Sequence, residues 1–135
     1  MCQLEINSVK FVAVIGVVGG YEGEKLIVEA KKKLENKNFM ENLWQDVAHE
    51  YFKEKGVSIS AVYNEGKAIY DCEFGSPKGG EIVGSFSGDW NTAFESDFLK
   101  WKMAVEVVVE RVAGKTGQCT WTTSYMPSEF HYHRK

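Results

Sequence analysis

Cysteine is scarce and odd in number: Cys2, Cys72 and Cys119, with no C-x-x-C spacing among them. Such a set builds neither a disulfide framework nor a zinc ribbon, and reduced thiols in a cytoplasmic protein are the expectation. Arginine is scarcer still. Of 16 basic residues only Arg111 and Arg134 are arginine, the lysines are mostly scattered or paired with acids, and the net charge is −3. No basic stripe emerges, so no nucleic-acid partner is predicted. No apolar run reaches the ~20 residues of a membrane span, so no membrane partner is predicted either. The first ten residues carry Glu5 and a single basic residue, with no A-x-A site downstream, which is not the pattern of a signal peptide. Repeats, linkers and low-complexity stretches are absent. The chain reads as one α+β domain over residues 1–127 with a polar C-terminal tail, 128–135.

What is present is organised around the run from Val9 to Val18, apolar or glycine at every position but Lys10. It is rich in β-branched residues and hardly alternates, which predicts a strand covered on both faces. A glycine-rich turn, Gly19 to Gly23, leads to a helix from Glu24 with Leu26, Ile27, Ala30 and Leu34 on one side. The order strand, glycine loop, helix resembles a phosphate cradle, but the spacing fits neither GxGxxG nor GxxxxGK and Glu22 and Glu24 would repel an anion. A second helix is expected from Asn38, with Glu41 completing a capping box, and Gly56 in the C′ place. His49 falls opposite its apolar stripe and is expected in solvent.

Three strands are then predicted. Val57–Tyr63 and Lys67–Phe74 are joined by a hairpin turn at Asn64-Glu65-Gly66, and Glu81–Phe86 follows a glycine-rich loop. A turn at 87–91 contains Trp90, either folded back onto the core or offered to a partner. A last long helix starts from a Thr92/Glu95 capping box and carries Phe94, Phe98, Trp101, Val105, Val108 and Val112 as its apolar stripe. Gly114-Lys115-Thr116-Gly117 ends it; position 109 is valine and the segment follows a helix, so it is no nucleotide loop. A final strand, Gln118–Tyr125, stops at Pro127.

The assembled order, β-α-α-β-β-β-α-β, predicts a two-layer α+β sandwich of the split βαβ, ferredoxin-like kind with an additional strand. Both helical regions would pack on one face, and the other would be half apolar and fringed with hydroxyls. Two functional classes remain open. One is a ligand-binding or interacting homo-oligomer, most simply a homodimer through that sheet face or an inter-subunit cleft, with Asp97, Trp90, Thr120 and Thr122 as candidate ligand residues. The other is a small cytoplasmic enzyme whose site gathers dispersed residues: Asp97, Cys119, Asp71 and Glu73. Asp97 stands about 40° from Trp101 on the helical wheel, inside the apolar arc, and reads either as a dipole-favoured helix start or as a carboxylate in an apolar cleft. Cys72 and Cys119 fall with the apolar residues of their strands and are expected to be buried structural thiols. His131 and His133 point the same way but lack a third ligand in the sequence, so no metal site and no cofactor are predicted.

Overall fold

The structure, a computed structural model, describes residues 5–19 and 24–135, without the side chains of 24–27. Cys2 and the turn expected at 20–23 lie outside the described residues. The element order is β1 (Ser8–Gly16), α1 (Glu24–Leu34), α2 (Phe39–Lys55), β2 (Val62–Ala68), a 3-10 turn (Cys72–Phe74), β3 (Glu81–Asp89), α3 (Phe98–Lys115) and β4 (Thr122–Ser128). The four strands form one antiparallel sheet in the order β2-β3-β1-β4. Each helical connection therefore skips a strand, and the first and last strands are neighbours. The fold is a two-layer α+β sandwich.

The two-residue period of β1 decides which side chains meet the helices. Phe11, Ala13, Ile15 and, just past the strand, Val17 are fully buried. Trp44 of α2 lies between two rings from the sheet, its centroid 5.9 Å from Phe11 and 4.5 Å from Phe86, both nearly parallel. From α3, Trp101 sits 6.0 Å from Phe11, and Ala104, Val105, Val108 and Val112 complete the layer. Burying each of the larger side chains contributes roughly 1.5–3 kcal/mol relative to leaving it in water. This face holds the fold together. It positions the other face without contributing to it.

Four local expectations are corrected. Asn64-Glu65-Gly66 is not a turn: it lies inside β2, with Gly66 paired to Val83 and without positive φ. Because β2 is an edge strand, its polar Asn64, Glu65 and Lys67 stay exposed at no burial cost. The additional strand is therefore absent among the described residues, and its second half becomes a loop with the 3-10 turn. Asn38 does not use its side chain to cap α2; it takes a left-handed conformation (φ 61°), which asparagine tolerates. Thr92 and Glu95 do not start α3. The helix begins six residues later at Phe98, and Phe94 stays 65% exposed. Pro127 does not stop β4 but sits within it, paired with Val9. An edge strand accepts a proline because one side of its backbone has no ladder partner to lose. Gly56 occupies its expected place (φ 74°), and His49 is exposed.

Candidate active site

The site is built on the face of the sheet that the helices leave open. Strand register puts Val14 and Gly16 of β1 beside Ser85 and Val83 of β3, and Val14 beside Thr122 of β4. At this end of the sheet the chain rises on both sides. After β2 it carries Tyr70 and the 3-10 turn 72–74; before β4 it carries Gln118, Cys119, Thr120 and Trp121. Between these walls lies a cleft of about 970 Å³ floored by Val14, Gly16 and Val83. That is the size of a site for a small organic molecule, and its floor is apolar.

One carboxylate opens into this cleft with a perturbed ionisation. Glu81 starts β3 on the same face as Val83, paired with Ala68. Partial burial pushes its carboxyl above its ordinary value, and the neighbouring Tyr70 hydroxyl draws it part of the way back. A carboxylate desolvated in a cleft, with one phenolic donor beside it, is an arrangement that holds a cation, orients a donor or moves a proton. Other raised groups belong elsewhere. Tyr125 is pushed up by burial and by its bond to Glu106, 2.7 Å away, outside the cleft. Among the described residues no group of three His, Cys, Asp or Glu is placed to hold a metal ion.

The sequence candidates divide sharply. Thr120, Thr122, Cys119 and Glu73 line the cleft, and Cys72 lines it with them. Both described cysteines are free and exposed, not buried as expected. The reason is register: Cys72 falls in the 3-10 turn and Cys119 ahead of β4, so neither has a strand face to bury it. Asp71 is engaged locally, accepting a bond from the Glu73 amide at 2.9 Å. Asp97 is exposed and is the N-cap of α3, accepting from the amides of Leu99 (3.0 Å) and Lys100 (3.3 Å). Trp90 is folded back: its indole donates to the Glu95 carbonyl at 2.7 Å and its ring meets Phe98 edge-on at 5.2 Å. His131 and His133 stand with ring centroids 6.4 Å apart in the tail. The sequence reading missed Tyr70, Glu81 and Gln118. A signal for Glu81 existed in its two-residue offset from Val83, which puts a carboxylate on an apolar strand face once the open face is known.

Fold and cleft together define a two-layer α+β protein with a small-molecule-sized site on its uncovered sheet face. The sequence matches the pattern of the SAM lyase family over residues 7–134, and the chain belongs to that family. No curated protein matches it, and no solved structure does. Among the described residues no helix is long and apolar enough to cross a membrane.

Proposed function

We propose that this protein is an enzyme that breaks a carbon–sulfur bond of S-adenosylmethionine by a lyase route, in the cleft that holds Glu81 and Tyr70. The family supplies the reaction class. The observation that carries the reading is the Glu81 carboxylate, raised by partial burial beside Tyr70, in a small-molecule-sized cleft with an apolar floor.

The substrate's reacting atom is a sulfonium. When its bond to carbon breaks, the electron pair leaves with sulfur and a neutral thioether departs, so no acid is needed on the leaving group. The site's task is to draw in the cation, hold it and keep water off the carbon. Ionised Glu81 does the first two in surroundings where charges interact more strongly than in bulk water. Tyr70 places a phenolic hydroxyl beside the carboxylate. Val14, Val83, Phe74 and Trp121 present apolar surface to the rest of the ligand. In a lyase the vacant carbon is satisfied from within the substrate, by its own carboxylate or by loss of a neighbouring proton, and never by water. The cation favours ionised Glu81, against the upward shift that burial imposes on it.

Incubating the protein with S-adenosylmethionine in ¹⁸O-labelled water tests this. 5′-Methylthioadenosine is expected to accumulate with no label in the companion product, and Glu81→Gln is expected to slow the conversion by a factor on the order of 10²–10³. An intact substrate pool after prolonged incubation overturns the reading. We further propose that the chain is a homo-oligomer, most simply a homodimer, in a reducing cytoplasmic setting that suits the exposed thiols of Cys72 and Cys119. The other end of the open face supports this: Val12 there pairs with Ser87 and Ser124, with exposed Val62 beyond Ser87 and exposed Met126 opposite Lys10. Light scattering is expected to give about twice the 15.3 kDa chain mass, falling to that mass in Val12→Glu.

A further inference from the structure

Gln118 owes its place to three consecutive features at the end of α3. Thr116 is buried and its hydroxyl donates to the Ala113 carbonyl at 3.0 Å. Gly117 takes a left-handed turn (φ 73°), after which the Gln118 amide N–H returns to the same carbonyl at 2.9 Å. That backbone is held by the helix stop. The side chain then lies across the floor of the cleft on Gly16. A Cβ at Gly16 would stand 2.7 Å from Oε1 and 2.9 Å from both Cδ and Nε2 of Gln118. The whole planar amide therefore rests on the one position of β1 that has no side chain on the open face. It is held there by a long bond, Nε2 to the Thr116 carbonyl at 3.5 Å. The other wall of the cleft, across Val83, carries Glu81 and Tyr70.

Building on the S-adenosylmethionine reading, we propose that Gln118 recognises the adenine ring and sets the enzyme's preference for an adenine nucleoside. A carboxamide presents an acceptor and a donor side by side in one plane, and adenine offers the complement, an N6 amino donor beside the N7 acceptor. Hypoxanthine replaces the amino group with a carbonyl, so its corresponding edge offers two acceptors and one bond is lost. Aromatic surface is at hand on the same wall in Trp121. Gly16 is then a positioning residue, since any side chain there displaces the amide.

Equilibrium titration of the full-length protein with 5′-methylthioadenosine and with 5′-methylthioinosine tests the assignment. The wild type is expected to favour the adenine compound by roughly tenfold or more. Gln118→Met keeps the length and removes the polar pair, and is expected to bring the two affinities within about threefold. Gly16→Ala is expected to do the same with Gln118 intact. Its methyl meets only the far end of a flexible side chain, and a thermal melt checks the fold; if that variant does not fold, Gln118→Met decides alone. Unchanged discrimination in Gln118→Met, or none in the wild type, overturns the proposal while leaving the lyase reading intact. A wild type that binds neither nucleoside and consumes no S-adenosylmethionine overturns both.

Discussion

The two faces of β1 are made from alternate residues of one strand, yet they have opposite lives. Phe11, Ala13 and Ile15 are fully buried under α2 and α3, while Val12 and Val14 look onto Ser87, Ser85, Ser124 and Thr122 and remain partly exposed. Both faces are apolar on this strand, but its neighbours differ: one face continues into Phe86, the other into hydroxyls. The helix face is packed on every side and tolerates little change. The open face contributes nothing to the core, so it is free to carry a carboxylate, an amide and two thiols that a core would exclude. Stability and chemistry are separated by a one-residue step along the strand.

The largest effect that tests this separation is on stability. Phe11→Ala removes a ring shared by Trp44 and Trp101, and is expected to cost about 3–5 kcal/mol. Val12→Ala, one position away, is expected to cost about 1 kcal/mol or less. Urea unfolding of the two variants checks the contrast, and equal losses would mean that the open face supports the fold as strongly as the helix face does.

Next comes Glu81→Gln, whose effects on activity and stability have opposite signs. Turnover is expected to fall by a factor on the order of 10²–10³, as when a preorganised electrostatic group is removed. Stability at pH 7 is expected to rise. The folded-state pKa of Glu81 is raised, so between the unfolded value, near 4.5, and the folded one the native state holds a proton the unfolded chain has lost. Stability conferred by this group therefore falls as pH rises through that window. The glutamine variant escapes the loss, and its higher Tm is expected to converge on the wild type as pH drops to about 4. Wild-type substrate binding follows the other direction, weakening as acid protonates Glu81.

Much of the fold was legible because the helix face obeys simple periodicity. The buried strand, the amphipathic stripes of α2 and α3 and the glycine stop at Gly56 all follow from residue type and spacing. What misled was local chemistry overruled by pairing. Glu65-Gly66 has turn composition, but an antiparallel neighbour at Gly84 and Val83 keeps it extended. Thr92 and Glu95 have capping-box spacing, but Asn91 claims the turn first, its carbonyl accepting from Phe94 and its side chain from Ala93. The site was less legible still. Thr120, Thr122, Cys119 and Glu73 were named and do line the cleft, but Tyr70, Glu81 and Gln118 come together only through the strand order β2-β3-β1-β4. No single-sequence pattern carries that order.

A smaller effect sharpens the contrast through the thiols. Cys72 and Cys119 are exposed on opposite walls of the cleft, so both are expected to react rapidly with a thiol reagent in the native protein. Saturating 5′-methylthioadenosine is expected to slow both several-fold. Labelling unaffected by the nucleoside would place the ligand elsewhere.

The smallest expected effect belongs to Asp97, a residue whose sequence position suggested a carboxylate in an apolar cleft. On the helical wheel it falls within the apolar arc only if α3 already includes it. The helix begins at Phe98, so Asp97 has extended backbone and is not on the wheel at all. Its carboxylate instead satisfies the amides of Leu99 and Lys100, two of the donors that a helix start leaves without intrahelical partners. Asp97→Ala is therefore expected to cost about 1 kcal/mol, a Tm lower by roughly 4 °C. Asp97→Asn, which caps comparably, is expected to recover most of that. Nucleoside affinity is expected to match the wild type in both variants once each is folded. Loss of binding in Asp97→Asn with an unchanged Tm would return the residue to the ligand site.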